Sequence, residues 1–373
     1  MMPTTSRHLI PIARPLISDE DKRRVLEVLD SGQFVAGPRV AEFEREFAAY
    51  VGTPHAVAAS SGTTALMAAL RAAGIGPGDR VVTTPFSYGA TASTILSCGA
   101  EPVFADIDPR TFNLDPEAAA DVLRRTPGAR GILVVHLYGL PCAMDRFEAL
   151  AQSFGTVLIE DAAQAHGAAF QGRRAGGFGR AAAFSFYPSK NMTTGEGGMV
   201  TTGQADVADR ARLFVRGGER QQYVYEAVGY NYRMTEIAAA LGVGQLSRLE
   251  GWNVRRRHNA ARLTAGLAGL GWLTCPSEPE GYTHVYHQYT VRVARGRARL
   301  RRHLEAEGVG TRIYYPVPIH ETPLYRGRYG GSRCPEAARA AEQVLSLPVH
   351  PALGEEDVDR IVGAVRRFDP DAF

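Results

Sequence analysis

The chain has 373 residues, 45% of them apolar and 22% charged, with a net charge of +3 at neutral pH. That balance is typical of a water-soluble globular protein of one large or two moderate domains, and the charge is too small and too evenly spread to point to nucleic acid or a membrane surface. Cys98, Cys142, Cys275 and Cys334 are far apart and form no C-x-x-C pair, so neither a zinc site, nor any other metal centre, nor a disulfide framework is indicated.

In chain order, the first fifteen residues lack the apolar core of a signal peptide and no later run reaches membrane length, so a cytoplasmic protein is expected. Residues 18–30 and 40–50 read as helices, with Ser18 capping the first and Val40, Phe43 and Phe47 along one face of the second. Strands and helices then alternate. Residues 55–59, 80–84, 102–106, 132–136, 157–160, 181–186 and 198–202 read as strands, and 62–73, 87–97 and 144–154 as helices. This alternation predicts a largely parallel sheet covered on both faces. The texture changes near residue 250. A long helix from 235 to about 270 leads into a Pro/Gly-rich stretch, a strand at 286–293, a helix at 297–307, an extended piece at 311–315 and a terminal helix at 355–368. Two domains are therefore expected, a large one over 1–250 and a smaller α+β one over 251–373. The Arg255-Arg256-Arg257 cluster reads as solvated charge on an exposed helix face.

Among 42 basic residues only Lys22 and Lys190 are lysines. Arginine serves as well for surface charge, but a guanidinium cannot lose its proton to form an imine with an aldehyde cofactor. Lys190 lies in a glycine-rich run, Phe184-Ser185-Phe186-Tyr187-Pro188-Ser189-Lys190-Asn191-Met192-Thr193-Thr194-Gly195-Glu196-Gly197-Gly198, which implies a tight turn or close backbone approach to a ligand. An ordinary hairpin explains the glycines but not the lysine.

Three other segments carry chemistry. Ser60-Ser61-Gly62-Thr63-Thr64 joins a strand end to a helix start and either holds a phosphate or is a plain N-cap. Glu160-Asp161-Ala162-Ala163-Gln164 ends a buried strand, where Asp161 either keeps a pyridine nitrogen protonated or caps a helix, and Gln164 can reach a ring oxygen. Tyr88 follows another strand end and either stacks on a planar ring or belongs to the core. His136 and His166, near strand ends, read as structural or as contacts to substrate or cofactor.

Together these motifs resemble the DegT-type (DegT/StrS) sugar aminotransferases. Further matches are Ser31-Gly32, Gly37-Pro38, Phe43-Glu44, Gly229-Tyr230-Asn231-Tyr232-Arg233-Met234, Tyr315-Pro316, His320 and Leu345-Ser346-Leu347-Pro348. The resemblance covers nearly the whole chain. It implies the three-layer α/β/α fold of pyridoxal-phosphate transferases (fold type I) with a smaller C-terminal α+β domain. It makes Lys190 the lysine that binds the cofactor aldehyde and Asp161 the partner of the ring nitrogen. It sets Gln164 near the phenolic oxygen, Tyr88 over one ring face, and Gly62, Thr63 and Ser185 on the phosphate. Asn231 would reach that phosphate from the neighbouring subunit of a homodimer. Arg233, Tyr314, Tyr315 and His320 would face the sugar. Relatives often carry His where this chain has Tyr314, which changes local substrate contacts and leaves the cofactor chemistry alone.

The resemblance implies a ping-pong reaction: L-glutamate converts pyridoxal 5'-phosphate to its pyridoxamine form, which then aminates a keto sugar, most readily a nucleotide-linked 4-keto or 3-keto sugar. A free keto-cyclitol or other natural-product ketone is the alternative. A pyridoxal-phosphate eliminase or dehydratase and a non-catalytic regulator of the same fold are lesser ones. Some relatives with histidine in place of the cofactor lysine are dehydratases, and the presence of Lys190 and Asp161 favours the aminotransferase.

Overall fold

The computed structural model describes residues 9–371; of the stretch read for a targeting signal, residues 1–8 lie outside those described. Helices α1 (Asp19–Ser31) and α2 (Pro38–Val51) come first. Ser18 caps α1 through a reciprocal pair: its hydroxyl accepts from the Asp21 N–H, and the Asp21 carboxylate accepts from the Ser18 N–H. Gly37, the cap residue of α2, has no side-chain acceptor. The Glu236 carboxylate supplies it instead, accepting from the N–H groups of Gly37, Arg39 and Val40 at 3.0, 2.7 and 3.1 Å.

The alternating region follows as β1 (His55–Ala59), α3 (Gly62–Ala72), β2 (Arg80–Thr83), α4 (Ala90–Ser97), β3 (Glu101–Phe104), α5 (Pro116–Arg125), β4 (Gly131–Val135), α6 (Met144–Phe154) and β5 (Val157–Asp161). A short hairpin, β6 (Ala169–Phe170) and β7 (Arg173–Arg174), precedes β8 (Ala181–Ser185), β9 (Gly198–Thr202) and α7 (Ala205–Val215). Seven of these strands form one sheet in the order β1-β9-β8-β5-β4-β2-β3. Only β9 runs against its neighbours. Successive strand residues face opposite layers: Val57 and Ala59 pack with α3 and α7, while Ala56 and Ala58 pack with α2. The expected parallel sheet with helices on both faces is therefore present.

A hairpin, β10 (Glu219–Gln221) and β11 (Val224–Tyr225), leads to the 32-residue helix α8 (Glu236–Leu267). Beyond it come β12 (Leu273–Thr274), β13 (Tyr282–Thr283), β14 (Tyr289–Val293), α9 (Arg297–Ala306), α10 (Pro323–Tyr329), α11 (Pro335–Gln343), β15 (Val344–Leu347) and α12 (Glu355–Arg366). Strands β12, β14 and β15 make a second sheet, cored by Tyr289, Val291, Leu345 and Leu347 with α9 and α12. Helix α8 crosses residue 250 unbroken: Val243 and Leu249 pack beneath the large sheet, Leu263 and Leu267 against the small one.

Several local expectations shift. The helix expected from 87 begins at Ala90, and the strand expected from 286 begins at Tyr289, because Tyr286 adopts φ 44° and turns the chain. The extended piece at 311–315 makes a single bridge, Arg312 to Ser346. Arg256 is not solvated. It is 5% exposed and donates to the carbonyls of Tyr286 and His287, and burial lowers its guanidinium to about 10.

Candidate active site

The carboxyl ends of β5 and β8 and the start of α3 converge on one place. Asp161, the last residue of β5, is buried. Its carboxylate accepts from the Thr91 hydroxyl at 3.0 Å and the Ala163 N–H at 3.2 Å. Burial nevertheless pushes its carboxyl above the ordinary range. Its neighbour Glu160 points to the other face and has a structural job. It accepts from the N–H groups of Gly176, Phe178 and Gly179 at 2.7, 2.8 and 2.6 Å, and from His136 Nε2 at 2.9 Å. His136 Nδ1 accepts from the Cys142 N–H, which leaves Nε2 as the donor. Burial opposes the Glu160 charge, but these donors hold it below its ordinary range. His136 is therefore structural, the first of the two readings open for it.

Lys190 lies in the loop between β8 and β9, folded back by Lys190 N–H to Tyr187 O and Thr194 N–H to Phe186 O. Its amine opens to the cleft yet sits deep in protein. Burial lowers it to about 8, against the attraction of Asp161. Among the described residues it has neither a hydrogen-bond nor an ion-pair partner. A lone amine held near neutrality beside a carboxylate suits covalent capture of a carbonyl.

Facing it, Ser61 caps α3 by accepting from the Thr64 N–H, so the first free donors of the helix are those of Gly62 and Thr63. A Cβ on Gly62 would lie 2.5 Å from the Ser185 Cβ, so only glycine lets the β8 end approach this turn. Backbone N–H groups, the positive end of the helix dipole and the Ser185 hydroxyl thus meet in a cradle with the chemistry to accept an anion.

Gln164 accepts from the Tyr138 N–H at 2.7 Å and donates to the Tyr315 hydroxyl at 3.2 Å. Tyr88, 64% exposed, lies 6.5 Å from the Tyr315 ring, and the Tyr314 carbonyl accepts from the Tyr138 hydroxyl. Lys190, Asp161, Gly62, Thr63, Ser185, Gln164, Tyr88, Tyr314 and Tyr315 therefore gather at one cleft. Asn231 is exposed and bridges to Arg216; the carbonyl of the next residue, Tyr232, accepts from the Ser60 N–H at 2.7 Å, which ties this segment, with Arg233, to the turn that leads into Gly62. His320 is 2% exposed and packs on Phe104, their rings 5.8 Å apart, with no contact to Lys190 or Asp161. His166 is fully buried against Phe184 and Phe186. Sequence reasoning missed Thr91 and Tyr138. The hydroxyls of Ser87 and Thr91, four residues apart and bonded at 2.9 Å, are the one signal that could have pointed to Thr91.

A three-layer sheet with a buried lysine loop, a strand-end aspartate and a phosphate cradle at a helix start is the arrangement of a pyridoxal-phosphate-dependent transferase of fold type I. The chain belongs to the DegT/DnrJ/EryC1/StrS aminotransferase family, whose sequence model matches residues 15–366. It is 43% identical to the dTDP-3-amino-3,4,6-trideoxy-alpha-D-glucose transaminase of Streptomyces venezuelae, over 94% of this chain and 92% of that one. It is 40% identical to the UDP-N-acetyl-3-dehydro-alpha-D-glucosamine 3-aminotransferase of Acidithiobacillus ferrooxidans, over 94% of each. Its structure superposes on that of S. venezuelae DesV in complex with a ketimine intermediate, with a TM-score of 0.92 at 41% identity, over 96% of this chain and all of that one. Among the described residues no helix is long and apolar enough to cross a membrane, and no group of three or more potential metal ligands occurs.

Proposed function

We propose that the protein moves an amino group from L-glutamate to a nucleotide-linked 3-keto sugar, with pyridoxal phosphate as its cofactor. The observation that carries this is the Lys190 amine, lowered to about 8 and set against Asp161 beside the Gly62–Ser185 cradle. The residues present fit such a cofactor. Gly62, Thr63 and Ser185 would hold its phosphate, Asp161 its ring nitrogen, Gln164 its phenolic oxygen, Tyr88 one ring face and Lys190 its aldehyde carbon. When bound, the cofactor supplies a carbonyl that takes up the amino group and a protonated ring that withdraws electrons from the carbon being deprotonated.

The chain's own part is proton handling and placement. Lys190 Nζ, displaced by the donor, takes the proton from the donor's α-carbon and in the second half delivers one to the sugar carbon that receives nitrogen. Thr91 and Ala163 hold the Asp161 carboxylate in place, where it would face the ring nitrogen. Tyr314 and Tyr315, with Arg233 and His320, would shape the sugar side. The names of two relatives place the reacting nitrogen at position 3, which favours that carbon over position 4. The same reading takes 1–250 as the cofactor-binding domain and 251–373 as the smaller one. It also takes the protein as a cytoplasmic homodimer in which Asn231 completes the neighbour's cradle. The exposed Tyr223, Val224, Tyr225 and Val228 near it are apolar surface for a second copy to cover.

The test is direct. Purified protein should be yellow, bleach on addition of L-glutamate, and then aminate a dTDP- or UDP-linked 3-keto sugar, read by mass spectrometry. Amination of a free cyclitol ketone alone would overturn the substrate class, and release of ammonia without incorporation would overturn the reaction.

A further inference from the structure

A directed chain of buried polar side chains runs under the lysine loop. Asn191, next to Lys190, uses its whole amide: Nδ2 donates to Asn253 Oδ1 at 2.9 Å and to the Val285 carbonyl at 3.1 Å, and Oδ1 faces His287 Nδ1 at 3.3 Å. Nδ2 is fixed as the donor by its two acceptors, and an amide oxygen can only accept, so His287 Nδ1 is the donor to Oδ1. His287 Nε2 is then an acceptor and takes a hydrogen from Gln288 Nε2 at 3.3 Å. At the other end Asn253 Nδ2 donates to the His166 carbonyl at 2.8 Å. Gly167 makes room for this, since a Cβ there would lie 2.6 Å from Asn253 Nδ2 and its φ is +87°. The links are buried and come from four places in the chain: the lysine loop, the middle of α8, the turn 284–288 and, at the far end, His166 after β5.

We propose that Asn191 is a positioning residue for Lys190, its side chain pinning the lysine loop to Asn253 on α8 and to Val285 and His287 on the following turn. The Lys190 N–H itself is tied within its own loop, to the Tyr187 carbonyl, and further along the loop the Thr193 N–H makes a second link to α8, donating to Gln245 Oε1 at 3.3 Å. Asp161, His166 and His287 are the titratable groups that interact with the amine, and Arg256 lies beside the two histidines. Burial lowers His166 to about 3 and His287 well below its ordinary value, so both are neutral throughout the working range. The bonding pattern of His287 requires the same. Among the described residues Asp161 is thus the one carboxylate that acts on the amine, and the placement of the loop decides how far the amine sits from it and from water.

This inference rests on the reading of Lys190 as the cofactor lysine, and the experiment separates the two. Two lysines in the chain make selective labelling simple: cofactor-free full-length protein grown on 13Cε-lysine gives two signals, and Lys22→Arg removes one. In wild type the Lys190 signal should titrate with a midpoint near 8. Asn191→Ala should raise that midpoint by about one pH unit toward the ordinary 10.5, because a slackened loop lets in water and the approach of Asp161. Asn253→Ala should do the same and serves if Asn191→Ala does not fold. Leu249→Ala, a cavity elsewhere on α8, should lower stability and leave the midpoint in place. Unchanged midpoints in the folded Asn191 and Asn253 variants, with pyridoxal phosphate still captured by Lys190 in wild type, overturn the pin alone. Failure of capture in wild type overturns the reading beneath it.

Discussion

Lys190 and Asp161 form a base and an acid whose charges the protein has made costly. The amine is lowered to about 8 and the carboxyl raised, both chiefly by burial. For a base lowered in the folded state, the cost falls at low pH: the folded protein binds the proton less well than the unfolded chain, and stability rises as pH climbs from about 8 to 10.5. Lys190→Met should therefore stabilise the cofactor-free protein at pH 7 by about 3 kcal/mol. The gain should vanish above pH 10.5, as read by urea unfolding. Lys190→Arg keeps the charge but cannot capture a carbonyl or serve as the proton carrier. Turnover should fall by at least about 10²–10⁴-fold with the circular dichroism unchanged.

At the scale of elements, the site depends on two junctions. Gly62→Ala drives a methyl into Ser185 and should weaken cofactor binding about tenfold to a hundredfold by equilibrium dialysis, with a smaller loss of stability. Glu160→Ala strands three backbone donors and the His136 N–H in a buried place and should cost about 3–5 kcal/mol in thermal or chemical unfolding. Much of this was legible in the sequence. The alternation from β1 to β9, the Gly62 turn, the acid at the β5 end and the lysine loop all rest on local pattern, and local pattern is what a single chain displays. What was hidden lies in long-range pairings. Glu236 caps α2 from 199 residues away in the sequence, Arg256 turns inward because carbonyls of the 284–288 turn wait for it, and Tyr286 breaks its strand through a backbone angle that side-chain alternation cannot reveal. Glu160 and Asp161, adjacent in sequence, go to opposite faces, and only the placement of the 176–179 loop shows which of them is structural.

At the scale of the whole molecule, Asn231 is exposed, where a second copy can meet it, and its proposed role is in the neighbour's site. Light scattering should give a dimer. Mixing Lys190→Ala with Asn231→Ala protein, after dissociation and reassembly, should restore activity to at most about a quarter of wild type, since each mixed dimer then has one intact site. If no activity returns, the two residues belong to the same site within one chain.

The most direct measurement is covalent. Borohydride reduction of the native yellow protein followed by digestion and mass spectrometry should put a pyridoxyl group on the peptide holding Lys190 and leave the Lys22 peptide unmodified. A tag on Lys22, or none on either peptide, would contradict the account.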